Sequence, residues 1–298
     1  MKLSVVIPTR GDQNMKNIIA CLQRQTFKDF EVIFVVDKHL EDWDTFSTTW
    51  NIHYISELTH AIPHNNASAL RNLGIKQAQW QYIQLMDDDE QFDDAYLETS
   101  LTLRHHYHTI LHKDFVLTPT LMYRKTWNIQ NQWFSHFNYL LSRPIPQLLW
   151  HKERDYIQMY SWNSLLAPAH IFKTVLFDET LDFVYEDLDF SYRIHRAGYP
   201  IIVLRDLKIY HMERDKTNLE EARVGNEYAA YRKAKHRMLF VRKYGNIFQK
   251  IQFYLLGFRG QPLRLILKVL RFAKKNEKYK LIKAIWKWTF YTDCFRKK

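Results

Sequence analysis

Two acidic clusters define the chemistry this chain is equipped for. Asp87, Asp88 and Asp89 follow directly on the apolar run "YIQLM". Adjacent carboxylates repel one another, so stability alone gives little reason for the triplet. An Asp-x-Asp at a strand end is a fitting seat for a hard divalent cation, which takes oxygen ligands from one or two carboxylates and from substrate phosphates. A solvated acidic turn is the plain alternative. The second cluster lies in "FDETLDFVYEDLDF", where Glu186 and Asp187 open a segment of helical spacing and Asp189 follows. Acidic residues suit a first helical turn for dipole reasons alone, yet a carboxylate fixed there is also well placed to act as a general base. One cluster for a metal and one for a base make a working constellation.

Such groups need a scaffold, and the first half of the chain supplies its pattern. "LSVVIPT", "FEVIFVV", "IHYI", "YIQLM" and "FVLTPT" are apolar runs of strand length. Between them, Ile18, Ile19, Leu22 and Gln25 fall at helical spacing, and Ala67 to Ala78 is a second helix-length stretch. Near-continuous apolar strands alternating with helices predict an α/β layered domain with both faces of its sheet covered. Ligands of such sheets gather at the carboxyl ends of the strands, where Asp87 to Asp89 and Asp37 fall. The middle, 123 to 164, is irregular and aromatic. "YEDLDFSYRIHRAGYP" predicts a helix ended by Gly198 with Pro200 beyond, and "IIVL" and "LKIYH" predict two further short strands.

The motifs resemble those of family 2 glycosyltransferases with the GT-A fold. "SVVIPTRGD", "CLQRQTFKDFEVIFVVD", "NNASALRNLGIKQAQWQYIQLMDDDEQF" and "FDETLDFVYEDLDFSYRIHRAGYPIIVLRDLKIYH" occur in that family's order and spacing, over about residues 3 to 245. The resemblance implies a GT-A (Rossmann-like) mixed sheet flanked by helices, binding a nucleotide-sugar donor across the strand ends. Thr9 and Asp37 match positions that hold the base, and Arg71 matches one facing the donor nucleotide. Asp87 and Asp89 match the family's Asp-x-Asp, Asp89 as the more direct ligand of Mn²⁺ or Mg²⁺, with Asp88 beside them on the donor. Asp187, paired with Glu186, matches the catalytic base, and His211 matches a histidine that completes the metal site in some relatives. The reaction implied is inverting transfer of a sugar, UDP being the nucleotide expected from family frequency. Two places depart from the pattern: Lys38 and His39 follow Asp37 where Asp and Ser are common, and "NNASAL" lacks the usual Gly.

The bulk of the sequence narrows the setting. A 46% apolar fraction with seven Gly and eight Pro in 298 residues excludes disorder and low-complexity repeats. Cys21 and Cys294 form no disulfide framework and fit a reducing cytosol. "MKLSVVIPTR" reads as a strand that starts at once rather than as a signal peptide. Residues 221 to 298 carry 21 Lys+Arg against 4 Asp+Glu, whereas residues 1 to 220 carry 22 against 28. This division predicts a catalytic domain over 1–220 and a basic amphipathic helical extension over 221–298, with an anionic partner for the extension. Arg264, Lys268, Arg271 and Lys275 share one helical stripe beside Leu263, Ile266, Leu267 and Leu270, and Trp286 and Trp288 follow. That mixture suits a helix lying in a membrane interface, the alternative being one packed on the body with a solvated basic face. The expectation is therefore a cytoplasmic protein, peripheral on the cytoplasmic face of the membrane, serving a saccharide or lipid-linked acceptor in surface polysaccharide or lipopolysaccharide assembly.

Rival readings are a catalytically inactive sugar-binding relative and a nucleotidyltransferase of similar layout. The latter would be expected to carry a Gly-rich loop near the first strand, and "VIPTRGDQN" has only Gly11. A nucleic-acid-binding protein would use the tail but not the acidic clusters. His105, His108 and His112 at helical spacing read as a polar surface rather than zinc ligands. Of Trp127, Trp133, Phe134, Phe137, Tyr139, Trp150 and Trp162, one or two are expected on a sugar and the rest in the core.

Overall fold

The computed structural model describes residues 1–9, 13–36, 52–56, 66–123, 129, 133–139, 143–147, 154–160, 164–181, 185–211, 227–253, 270–271 and 277–283. The chain divides into two compact units, one of residues 1–135, 146–182 and 186–212, the other of 136–145, 183–185 and 213–298.

The first unit is built on a mixed sheet. Its strands are β1 (Leu3–Thr9), β2 (Phe30–Val36), β3 (Ile52–Ser56), β4 (Tyr82–Leu85), β5 (Glu90–Gln91), β6 (Val116–Tyr123), β9 (Arg154–Ile157), β11 (Leu165–Pro168) and β12 (Ile201–His211). Strands β7 (Trp133–Asn138), β8 (Arg143–Pro146) and β10 (Met159–Tyr160) form a small separate sheet. In the main sheet the order is β3-β2-β1-β4-β11-β6-β12-β5, with β9 also on β12. β1, β2, β3 and β4 are mutually parallel, β11 runs against both β4 and β6, and β12 is parallel to β6. Hence β1, β4, β6 and β12 all end on one edge, and Thr9, Asp87 to Asp89 and His211 meet there.

Both faces are covered, as the apolar runs require. Along β1, Leu3, Val5 and Ile7 join one buried cluster with Ile18 and Leu22 of α1 (Gln13–Gln23). Val6 joins the opposite cluster with Leu70 and Ile75 of α2 (Ala67–Gln77). The period of two in side-chain direction divides the strand between two cores. Helix α3 (Tyr96–Leu111) packs on the first face through Leu97 and Leu101, while α4 (Ala169–Thr174) and α5 (Glu186–Arg196) pack on the second through Phe172 and Phe190. Gly74 lets α2 approach the sheet: a Cβ there would lie 2.4 Å from Val6 Cγ1 and 3.0 Å from Val35 Cγ2.

Two elements differ from the sequence reading. Gln25 does not extend α1. It is buried two residues past the helix, where its amide donates to the Asp93 carbonyl at 2.8 Å and accepts from Leu97 N–H at 2.9 Å. "IIVL" and "LKIYH" are one strand, β12, whose register on β6 jumps between Leu204 and Lys208. The bulge admits the polar residues Arg205 and Asp206 without ending the pairing, and Thr120 Oγ1 donates to the Leu204 carbonyl across it at 3.2 Å. At the predicted end of α5, Gly198 has φ 91°. Gly198 N–H donates to the His195 carbonyl and Tyr199 N–H to that of Ile194, closing a Schellman motif.

The second unit contains α6 (Glu227–Tyr244) and α7 (Ile247–Gln252). Within it Phe137 packs 4.6 Å from Phe240, ring to ring, and Arg237 Nε donates to Tyr185 Oη at 3.0 Å. No helix among the described residues is long and apolar enough to cross a membrane. Much of the predicted basic stripe, including Arg264, Lys268 and Lys275, lies outside the described residues, as do Trp286 and Trp288.

Candidate active site

The three aspartates after β4 turn to three different elements. Asp87 Oδ1 accepts from Arg71 Nη2 of α2 at 2.6 Å. Asp88 Oδ2 accepts from Thr9 Oγ1, at the end of β1, at 2.6 Å. Asp89 Oδ2 lies 3.2 Å from His211 Nε2, at the end of β12. The short strand β5 makes the last pairing possible, because it sets Glu90 opposite His211 and Gln91 opposite Tyr210. Glu90 is fully buried and accepts a hydrogen bond from Ser164 Oγ, which fixes β5 from beneath the site.

Arg71 joins the two acidic clusters. Its side chain is 6% exposed and lies over the Phe177 ring at 5.5 Å. Burial alone would lower its pKa; Asp87, Glu186 and Asp187 outweigh that and hold it above the usual arginine value. Nε and Nη1 have no hydrogen-bond partner among the described residues, so a single bond to Asp87 uses only part of its donor fork.

Asp187 sits in the first turn of α5. Its Oδ1 accepts from Leu188 N–H at 2.7 Å, the bond a helix N-terminus offers an anion. Its pKa is raised well above the usual carboxylate value, first by burial and then by the neighbouring Glu186, with Leu188 N–H and Arg71 pulling the other way. A carboxylate raised in this way is a stronger base than an exposed one. Immediately before the helix, Tyr185 has φ 78°, a left-handed conformation that a bulky residue rarely adopts.

A polar lattice that the sequence did not signal ties α2 to the segment ahead of α5. Asn72 Nδ2 donates to the Phe177 carbonyl at 3.0 Å and to Glu179 Oε1 at 2.8 Å, and Phe177 N–H donates back to Asn72 Oδ1 at 2.7 Å. Asn66 Nδ2 donates to the Glu179 carbonyl and Ser68 Oγ to that of Leu181. Phe177 in turn stacks on Phe190 of α5 at 3.8 Å. The hydrogen-bonded partners lie more than 100 residues apart in sequence. The only local hint is the run of small polar residues in "NNASALRN".

Other candidates fall elsewhere. Asp37, Trp127, Trp150 and Trp162 lie outside the described residues. Trp133 and Phe137 are buried core, while Phe134 and Tyr139 are partly exposed. His112 leaves the face of His105 and His108, because it caps α3 in a left-handed conformation. Asp114 is salt-bridged to Arg104 at 2.8 Å, with His108 and His170 at 3.6 and 3.5 Å. Among the described residues no three His, Cys, Asp or Glu side chains converge to hold a metal. The Asp89–His211 pair nonetheless fits as half of a cation site: an oxygen and a nitrogen donor 3.2 Å apart suit Mn²⁺ better than the all-oxygen preference of Mg²⁺.

Residues 4–140 match the family model described as glycosyl transferase family 2. No curated protein sequence matches the chain. Solved structures of S. aureus TarS share the fold. The 1–349 fragment with UDP aligns with a TM-score of 0.54 at 17% identity, covering 97% of this chain and 90% of that one. The same fragment with UDP-GlcNAc gives 0.55 at 15%, covering 97% and 91%. A longer TarS structure gives 0.53 at 16%, and this chain, 97% covered, spans only 55% of its length. Over residues 4–140, a little under half of the chain, the sequence is thus similar to glycosyl transferase family 2, and the chain shares the GT-A fold of the TarS structures.

Proposed function

We propose that the protein transfers a sugar from a nucleoside-diphosphate donor, UDP-sugar first among them, to a saccharide or lipid-linked acceptor with inversion at the anomeric carbon. One observation carries this reading: a single buried guanidinium, Arg71, is held by Asp87 and also feels Glu186 and Asp187. This supports reading the donor-side and acceptor-side carboxylates as parts of one site.

In this scheme the free donors of Arg71 face the anionic donor, and Thr9 and Asp37 take its base. Thr9 also keeps Asp88 oriented. Asp89 and His211, with Asp87, would hold Mn²⁺ or Mg²⁺, which when bound supplies positive charge against the leaving diphosphate. Asp187 removes the proton of the acceptor hydroxyl as that oxygen bonds to the anomeric carbon. The bond from that carbon to the diphosphate oxygen breaks on the opposite side, and the nucleoside diphosphate departs. Glu186, beside Asp187, keeps its basicity high. The UDP and UDP-GlcNAc complexes of the fold relatives make these the first ligands to try.

The basic residues of 261–298 suit an anionic membrane surface, so the enzyme would work as a peripheral protein on a lipid-linked acceptor of surface polysaccharide assembly. Thermal-shift measurements of the full chain with UDP, GDP, CDP and dTDP, each with and without Mn²⁺, test the donor half. A nucleotide at about 100 times its dissociation constant adds roughly 2.7 kcal/mol. Hydrolysis of the matching nucleotide sugar separates an enzyme from an inactive sugar binder. No stabilisation by any nucleotide with Mn²⁺ would remove the donor assignment.

A further inference from the structure

Helix α7 wears its apolar side outward. Ile247, Phe248 and Ile251 are 64%, 77% and 48% exposed, whereas Phe253, on the opposite side of the turn, is buried. At positions i, i+1 and i+4 the three exposed side chains share one face. Scattered exposed hydrophobics are ordinary, but three contiguous ones including an aromatic mark a contact surface. The start of the helix is well defined. Asn246 and Gln249 form a reciprocal capping box, with both bonds 2.8 Å long. Gly245 allows the tight turn from α6, since a Cβ there would meet the Val241 carbonyl at 2.7 Å and the Tyr139 ring at 3.3 Å.

The charge around the patch is of one sign. Arg242 and Lys243 are exposed at the end of α6, and Lys250 lies on α7 itself. Between Glu227 and Glu277 the sequence has 13 Lys or Arg and no acidic residue. Exposed aliphatic side chains gain nothing from a phosphate backbone alone. Apolar wedge plus cations instead complements an anionic leaflet, where headgroups take the charge and the acyl boundary takes Ile and Phe.

We infer that α7 is a membrane wedge, inserting Ile247, Phe248 and Ile251 into an anionic phospholipid surface while Arg242, Lys243 and Lys250 meet the headgroups. This rests on the peripheral-membrane reading above, adds a built apolar contact to the charge of the tail, and is separable from it. The test is cosedimentation of the full chain with phosphatidylcholine vesicles, with and without phosphatidylglycerol, at low and high salt. The double variant Ile247→Asn/Phe248→Asn changes only exposed side chains, and an unchanged thermal midpoint verifies its fold. It should bind anionic vesicles at least about tenfold more weakly at high salt, while Arg264→Gln/Lys268→Gln/Lys275→Gln should weaken binding mainly at low salt. If the double variant sediments like wild type while the triple variant does not, the tail alone binds membrane and the wedge is refuted. If the unaltered chain ignores anionic vesicles at low salt, both readings fall. Equal binding to vesicles of pure phosphatidylcholine refutes the role of the cations. A wild-type dimer that the double variant dissolves assigns the patch to a second copy instead.

Discussion

Replacing Asn72 by Ala tests whether the lattice between α2 and residues 177–181 positions α5, the helix that carries Asp187. Asn72 is buried and makes three hydrogen bonds, two of them to the backbone of Phe177. Alanine leaves that N–H and C=O without partners in a place water does not reach. Each orphaned buried group costs about 1–3 kcal/mol, and the third bond, to the exposed Glu179, adds little. The expected loss is thus about 2–6 kcal/mol, a large share of the 5–15 kcal/mol that usually holds a domain. Ser68→Ala orphans one carbonyl, that of Leu181, and should cost about half as much. A chain of two units need not unfold in one step, so local hydrogen exchange is the better assay. At roughly a factor of ten per 1.4 kcal/mol, amides of 177–181 should exchange about 10–10⁴-fold faster in Asn72→Ala. Turnover should fall with them, because the freed segment leads directly to Glu186 and Asp187, while UDP binding changes less. Exchange within twofold of wild type would show that the lattice is decorative and that the stack of Phe177 on Phe190 holds the segment alone.

Three further outcomes follow from the same geometry. Asp89→Ala should abolish Mn²⁺-dependent stabilisation by UDP and nearly all transfer, whereas Asp87→Ala should keep some binding; unchanged metal-dependent UDP stabilisation in Asp89→Ala would move the cation elsewhere. Asp187→Asn should lower turnover by about 10²–10⁴ with UDP stabilisation intact. Because its pKa is raised, Asp187 in the folded protein holds a proton that the unfolded chain releases near pH 3.8, so wild-type stability falls as pH rises through that window. The Asn variant should therefore be the more stable protein at neutral pH and equal to wild type in acid, as thermal midpoints would show. Gly74→Ala should destabilise by about 1–3 kcal/mol despite alanine's better helix propensity, because its Cβ collides with Val6 and Val35; a raised thermal midpoint would contradict the packing.

The layered fold was legible because local pattern and tertiary burial agree. β1, β2 and β4 are apolar runs buried on both faces, and α2 and α5 sit within a residue or two of where spacing and Gly198 place them. What escaped depends on distant partners. Two polar residues inside "IIVLRDLKIYH" look like a break between strands, and only pairing to β6 reveals a bulge. Gln25 fits a helical period by count yet serves as a buried bridge to residues 93–97. Asn66, Ser68 and Asn72 look like residues facing water until residues 177–181 fold over them.

The same distinction explains the aspartate triplet. Sequence shows three repelling charges and suggests one cation as their common remedy. In the folded chain each carboxylate also meets a group of its own, a guanidinium on α2, a hydroxyl on β1 and an imidazole on β12. Successive residues leave a strand end in different directions, and each finds a different element because β1, β4 and β12 end on the same edge. The triplet is thus a junction rather than a cage. Asp87 couples the turn to Arg71 and through it to Asp187, the proposed base; Asp88 fixes the turn to the end of the first strand; Asp89, opposite His211, is left as the carboxylate proposed for a cation. The substitution that distinguishes a junction from a cage is Thr9→Val. It removes the hydroxyl that holds Asp88, and should disturb the turn and weaken stabilisation by Mn²⁺ without nucleotide, in which the contact of Thr9 with the base plays no part. Unaltered stabilisation in Thr9→Val would leave Asp88 without a structural role and return the triplet to the simpler reading.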